Sequence, residues 1–207
     1  MRLILTALCL ALFMFLAPAS AQVESLWPTL APGSTLYGHF VQQQYLKGLT
    51  APLKSEGDFV VSPDQGIIWR NAEPIRSVTV ITPAGARRTV ADDAGRQLAS
   101  ARMPAFAHLY QTLDRAIVGD WSALRQDFAI DSTGDRRSWR VTLTPLRSSG
   151  PLGQRLASVI LTGSSRIDAV TINRTTGDST QVEFLNQTVA NSPPNSADAH
   201  LLDDKAE

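Results

Sequence analysis

The chain has 207 residues, of which 43% are hydrophobic, and its 19 Lys and Arg residues balance its 19 Asp and Glu residues. A net charge of zero provides no basic surplus for gripping nucleic acid and no acidic surplus for collecting metal ions. The length fits one domain with a sizeable core.

The first 21 residues have the features of a secretory signal peptide. Arg2 supplies the positive start, Leu3–Leu16 is an apolar stretch, and Ala-Ser-Ala at positions 19–21 forms a cleavage site before Gln22. An uncleaved anchor is the alternative, but the apolar stretch is shorter than the roughly 20 residues that span a bilayer. We expect residues 1–21 to be removed together with Cys9, which leaves an exported chain without cysteine.

The first half of the mature chain has the alternating pattern of β-strands separated by turn residues. A short helix is predicted over Glu24–Leu30. The predicted strands are Thr35–Leu46, Lys54–Val61, Ile67–Asn71, Ile75–Thr82, Arg87–Ala91 and a short Arg96–Ala99. Because side chains alternate along a strand, Leu36, Gly38 and Phe40 share one face of the first strand.

The second and third strands form the most distinctive hairpin. Their turn, at residues 62–66, contains Pro, Asp and Gly. Phe59 and Val61 share a face of one strand, as Ile67 and Trp69 do of the next. A hairpin with so apolar a face needs a larger sheet to pack within.

The pattern changes to a helix in the middle of the chain and then returns to strands. Pro104–Val118 has apolar residues at helical spacing, with Pro in its first turn and Gly119 after its end. Further strands are predicted over Leu124–Ile130, Ser138–Leu143, Ser158–Leu161, Ile167–Asn173 and Ser179–Leu185. We expect a single domain over residues 22–189, and we expect the Pro-, Asn- and Asp-rich residues 190–207 to be a disordered tail.

About ten strands with one long helix predict an α+β protein built on a curved antiparallel sheet. A sheet of this size curls, so its concave face must be closed or filled. The helix over Pro104–Val118 is the natural element to fill it.

Motifs for catalysis and metal binding are absent from the sequence. His39, His108 and His200 have no partner at a metal-ligand spacing, and there is no nucleophile elbow, phosphate-binding loop or dinucleotide fingerprint. We therefore expect no cofactor, no metal and no enzyme activity. A hydrolase that uses an unrecognised Ser with His108 is the alternative from another functional class.

Several of these residues also resemble a known family. Phe40-Val41-Gln42-Gln43 is followed by Gly57-Asp58-Phe59, a turn containing Pro63, the pair Ile67-Ile68, Trp69 and Pro74, and Trp139 begins the later segment WRVTLTP. This order resembles the periplasmic lipoprotein carriers of the LolA type. The resemblance implies an incomplete β-barrel whose apolar cavity is covered by helices.

The resemblance also implies a function and a set of cavity residues. It implies a monomeric periplasmic carrier that takes an acylated lipoprotein or lipid from an inner-membrane donor towards an outer-membrane acceptor. The alternatives are a fixed small-ligand binder or an envelope scaffold whose cavity is filled by its own core. The residues expected to line the cavity are Phe40, Phe59, Trp69, Val80, Phe106, Leu109, Tyr110, Leu113, Ile117, Phe128 and Trp139.

One turn departs from the family pattern. The general lipoprotein carriers have a basic residue beside the turn proline, where this chain has Ser62-Pro63-Asp64. The C-terminal segment of those carriers also looks truncated here. The resemblance is therefore closer to the specialised LolA-like branch, found in lipid and aryl-polyene pigment pathways, than to the housekeeping carrier.

Overall fold

The computed structural model describes residues 30–63, 65–83, 85–91, 97–102, 124–147 and 153–203. For residues 91 and 97–102 only the backbone is described. Within these ranges the chain forms eleven strands and one short helix. The first-half strands are β1 (Thr35–Tyr45), β2 (Leu53–Ser62), β3 (Gly66–Glu73), β4 (Ser77–Thr82), β5 (Gly85–Ala91) and β6 (Gln97–Arg102). The rest are β7 (Phe128–Asp135), β8 (Ser138–Pro145), β9 (Leu156–Gly163), β10 (Ile167–Arg174), β11 (Ser179–Ala190) and the helix α1 (Ser196–Asp203).

All the strands belong to one antiparallel sheet, in the order β6-β5-β4-β3-β2-β1-β11-β10-β9-β8-β7. Each half of the chain is a meander, and the two halves join where β1 pairs with β11, with Phe40 opposite Phe184. The described strands leave β6 and β7 at opposite ends of the sheet, which is therefore open. The predicted antiparallel architecture is confirmed, whereas helices over a cavity are not seen in the described residues.

The strand predictions agree closely with the structure, apart from their ends. The predicted strand from Leu124 begins instead at Phe128, because the chain first turns, with the Asp127 N–H donating to the Leu124 carbonyl at 3.1 Å. The predicted strand at Arg96–Ala99 is seen as β6, three residues longer at its C-terminal end. Three predicted segments lie outside the described residues, namely the signal peptide, the helix over Pro104–Val118 and, apart from Leu30, the helix over Glu24–Leu30.

The register divides the sheet into two faces. We call the apolar face the one that carries Leu36, Gly38 and Phe40 on β1, together with their cross-strand partners. We call the other the helix face, because α1 packs on it. There Leu202 of α1 is buried with Val60 of β2, and Ile68 and Val80 join the same cluster.

The prediction that residues 190–207 form a disordered tail is wrong for residues 190–203. Asn195 caps α1, since its Oδ1 accepts the Asp198 N–H at 3.0 Å and its Nδ2 donates to Asp198 Oδ2 at 2.7 Å. The Asp198 side chain is 6% exposed and forms an ion pair with Arg70 of β3. Arg87 of β5 donates to the Leu201 carbonyl at 2.8 Å. The segment is thus held by a cap, an ion pair and a buried leucine.

Candidate functional site

The apolar face carries two clusters of buried hydrophobic residues, one mainly from the first half of the chain and one from the second half. The first-half cluster consists of Leu36, Phe40, Phe59, Val61, Ile67, Trp69, Ile81 and Val182. The second-half cluster consists of Leu124, Phe128, Trp139, Val141, Leu143, Leu156, Val159, Leu161 and Val170. Phe184 packs against both clusters. The apolar face is therefore continuous across the β1–β11 junction.

Four aromatic rings meet beside that junction. Phe40 stacks on Trp69 with ring centroids 3.8 Å apart and an angle of 26° between the planes. Phe184 meets Phe59 edge-on at 5.2 Å and Trp69 edge-on at 6.1 Å. The two contacts of Phe184 are the T-shaped arrangement that aromatic quadrupoles favour, while Phe40 and Trp69 lie face to face. We call these four residues the aromatic cluster.

A glycine makes room for the aromatic cluster. Gly38 lies opposite Phe59 in the β1–β2 register, and a Cβ at residue 38 would lie 2.6 Å from the Phe59 ring. Any larger residue at position 38 would displace the Phe59 ring. The glycine therefore determines where that ring lies. This glycine therefore belongs to the site although it contributes no side chain.

Trp139 is held in a similar way in the other half of the sheet. A Cβ at Gly163 would lie 2.3 Å from the Trp139 ring, so the indole lies directly over this glycine. The indole Nε1–H donates to the Ser164 carbonyl at 2.6 Å. Buried Trp rings need such a partner for their one donor.

The structure brings five of the six predicted sheet residues onto the apolar face. Phe40, Phe59 and Trp69 lie in the first-half cluster, and Phe128 and Trp139 lie in the second. All five are buried. Val80 is the exception, and the prediction that it lines the same cavity is wrong, because it lies on the helix face against Leu202.

The predicted helix residues Phe106, Leu109, Tyr110, Leu113 and Ile117 lie outside the described residues. Phe184, by contrast, was not predicted as a site residue. Its signal was present in the sequence, since Val182 and Phe184 alternate within the predicted strand Ser179–Leu185.

The described residues offer no catalytic or metal-binding arrangement. They contain no group of three or more His, Cys, Asp and Glu side chains that could hold a metal ion. His39 Nδ1 lies against Asp58 Oδ1, but both side chains are more than half exposed, at 59% and 51%, and they lie on the helix face. No helix in the described part of the chain is long and apolar enough to cross a membrane.

An open depression lies apart from the aromatic cluster, at the ends of β7 to β10. It is lined by Thr133, Gly134, Ser138, Trp139, Arg140, Thr162, Gly163 and Asp168. The lining is mostly polar, and the depression is open to solvent. It provides no apolar enclosure, so the apolar face is the better candidate site.

Comparison with known proteins decides the family. The family model described as "Outer membrane lipoprotein carrier protein LolA-like" matches residues 16–193. The chain belongs to this LolA-like family. A search of the curated proteins returned no match.

Solved structures similar to this LolA-like protein share little sequence with it. A chain in the MucA/MucB complex of Pseudomonas aeruginosa is 14% identical with a TM-score of 0.44, and the match covers 79% of this chain and 54% of that one. A LolA superfamily protein from Nitrosomonas europaea is 8% identical with a TM-score of 0.44, with 87% and 94% covered. A putative outer membrane lipoprotein-sorting domain from Vibrio parahaemolyticus is 7% identical with a TM-score of 0.39, with 84% and 93% covered. With such low scores these likenesses carry no weight, and the assignment rests on the family model.

Proposed function

We propose that this protein is a periplasmic carrier that binds the acyl chain of a lipid or lipoprotein against its apolar face and passes it towards the outer membrane. The observation that carries the proposal is the continuous apolar face, which spans both halves of an open sheet and contains the aromatic cluster. Membership of the LolA-like family supports it. The absence of catalytic motifs from the sequence agrees with a binding role.

The apolar face can bind an acyl chain through the hydrophobic effect alone. Each methylene removed from water contributes about 0.8 kcal/mol, so a long chain gains on the order of 10 kcal/mol before ordering costs are subtracted. The rigid edges and faces of Phe40, Trp69 and Phe184 add dispersion contacts along the chain. No cofactor or energy source is needed for binding, and release requires a deeper apolar site on the acceptor.

Binding requires the apolar face to become accessible, since Phe40 is 1% exposed and Trp69 is 8% exposed. We propose that the cover of this face is the helix predicted from the sequence over Pro104–Val118, with Leu109 and Leu113 as the residues expected to meet the acyl chain. Its movement would admit the acyl chain between helix and sheet. The expected partners are an inner-membrane donor, an outer-membrane acceptor and one acylated cargo.

The departure at the turn, Ser62-Pro63-Asp64, bears on which cargo is carried. Ser62 is a neutral hydrogen-bonding group, and charge-assisted bonds are roughly twice as strong as neutral ones. In a closed state, an element covers the apolar face. A basic side chain at this turn could hold that element with a charge-assisted bond, whereas Ser62 can offer only a neutral one. We therefore propose a narrower lipid or pigment-pathway cargo rather than lipoproteins in general.

The test is native mass spectrometry and lipid extraction of the protein isolated from its own cell envelope. The expected result is one acyl-bearing ligand per chain, lost on denaturation, while an unrelated exported protein isolated in the same way carries none. A protein that is consistently empty, and that binds no added fatty acid, would contradict the carrier and support a scaffold with a filled core. Turnover of a generic ester would support the hydrolase instead.

A further inference from the structure

Two consecutive arginines of β5 point to opposite faces of the sheet. Arg87 lies on the helix face and donates to the Leu201 carbonyl. Arg88 lies on the apolar face, where the register places it beside Thr79 of β4, which in turn lies beside Trp69 of β3. Arg87 thus has a structural role in holding α1, and Arg88 has no such role.

Arg88 is part of a small polar corner at the edge of the aromatic cluster. Its Nη2 donates to Ser77 Oγ at 3.1 Å, and Asn71 Nδ2 donates to the same oxygen at 3.0 Å. Ser77 is 3% exposed and Thr79 is 6% exposed. We call Asn71, Ser77, Thr79 and Arg88 the polar corner.

The polar corner has a buried donor without an acceptor. Arg88 Nε is inaccessible to solvent and has no hydrogen-bond partner among the residues that the structure describes. No carboxylate in the described part of the chain lies within ion-pair distance of its guanidinium. Burying a charged donor unsatisfied is costly, so such a group indicates that an acceptor belongs there.

The charge around the polar corner is also one-sided. In the regular register from β1 to β5, which excludes the bulge between Glu56 and Gly57, Arg88 is the one charged side chain on the apolar face. The Ser77 hydroxyl already accepts two hydrogen bonds, which leaves its own hydrogen to donate. The guanidinium, an amide and two hydroxyls together are donors suited to an anion, and the guanidinium matches a carboxylate or phosphate in shape.

We propose that the polar corner binds the anionic headgroup of the cargo while its acyl chain lies across the aromatic cluster. Arg88 is two strands from Trp69, or about 10 Å at the usual strand spacing, a distance that the first carbons of an acyl chain span. The cargo is then an amphiphile with a carboxylate or phosphate head. This assignment rests on the proposed carrier function and adds the class of ligand to it.

The test compares ligands that share one chain and differ in the head. Binding of palmitate, palmitoyl lysophosphatidic acid and neutral methyl palmitate to the full mature chain is measured by titration calorimetry. We expect one or both anions to bind about ten- to a hundredfold more tightly than the ester, as a charge-assisted bond provides. A preference for one anion identifies the headgroup as carboxylate or phosphate. Competition by inorganic phosphate alone shows whether the polar corner binds the free ion.

The variants are Arg88→Gln and Arg88→Lys, with Arg87→Gln as the neighbouring control on the helix face. Arg88→Gln should lose the preference for the anion and leave the affinity for methyl palmitate within about twofold. Arg88→Lys should retain part of the preference, and Arg87→Gln all of it. If Arg88→Gln fails to fold, the comparison of anion with ester in the unaltered protein still tests whether the protein binds an anionic headgroup. Equal affinity of that protein for anions and ester would overturn the headgroup site alone, whereas no binding of any of the three would overturn the carrier function as well.

Discussion

Asp178 ties together two turns at the same end of the sheet. Its Oδ1 accepts the backbone N–H of Lys47, which follows β1, at 2.8 Å, and its Oδ2 accepts the Thr176 hydroxyl at 2.8 Å. The bond from the Lys47 N–H is the main reason that the pKa of Asp178 is lowered, and the Thr176 hydroxyl contributes next. Gly177 supplies the positive φ of 90° that this tight turn needs.

The lowered pKa gives Asp178 a defined effect on acid stability. Because the folded pKa lies below the unfolded value, the ionised carboxylate stabilises the fold at neutral pH, and this contribution is lost as pH falls through the unfolded and then the folded pKa. Asp178→Asn should therefore be less stable than the original protein at pH 7, with the difference shrinking below about pH 3.8. Denaturant unfolding of both proteins, from pH 7 to below about pH 3.8, measures this difference in stability. A difference that stays constant as the solution is acidified would contradict the assignment.

The sequence predicts five of the buried residues on the apolar face as site residues but cannot place Val80. Alternation along β4 puts Val78 and Val80 on one face and Thr79 and Ile81 on the other. Alternation does not show which face of β4 belongs to the apolar face of the sheet when both carry hydrophobic residues. Both faces of β4 are covered, since Ile81 joins the first-half cluster and Val80 packs against Leu202 of α1. The misplacement of Val80 thus follows from missing α1.

At the scale of elements, the sequence does not predict α1, because the residues that start this helix lie in a segment whose composition is typical of disorder. Asn195 as cap and Asp198 three residues on form a helix start, yet they lie in a segment rich in Pro, Asn and Asp. The contacts that hold α1 come from residues more than 100 positions away, such as Arg70 and Arg87. Local composition carries no information about such partners.

The docking of α1 predicts a clear difference between two neighbouring residues. Leu202 is 6% exposed on the helix face, whereas Asp203 is exposed. Leu202→Ala should lower the free energy of unfolding by about 2–5 kcal/mol, as truncation of a buried leucine does. Asp203→Ala should change it by less than about 0.5 kcal/mol. Denaturant unfolding measures both, and equal small effects would show that α1 is not docked in solution.

At the scale of the whole molecule, two meanders joined at β1 and β11 present one apolar face. The strands and the antiparallel class were predictable because most strands are short runs of alternating or β-branched and aromatic residues that end at turn residues. The junction was not predictable, because pairing of β1 with β11 joins residues about 140 positions apart, such as Phe40 with Phe184. For the same reason the aromatic cluster could be predicted only in part.

The measurement that tests the acyl-binding role most directly is photolabelling with a palmitate analogue that carries a diazirine in its chain. Peptide mapping of the mature protein should find the cross-links on the apolar face, at residues such as Phe40, Trp69 and Phe184, and excess palmitate should suppress them. Tyr37 and Val78 on the helix face, which are also partly buried, serve as internal controls and should remain unlabelled. Cross-links confined to the helix face, or cross-links that palmitate does not suppress, would contradict the acyl-chain site.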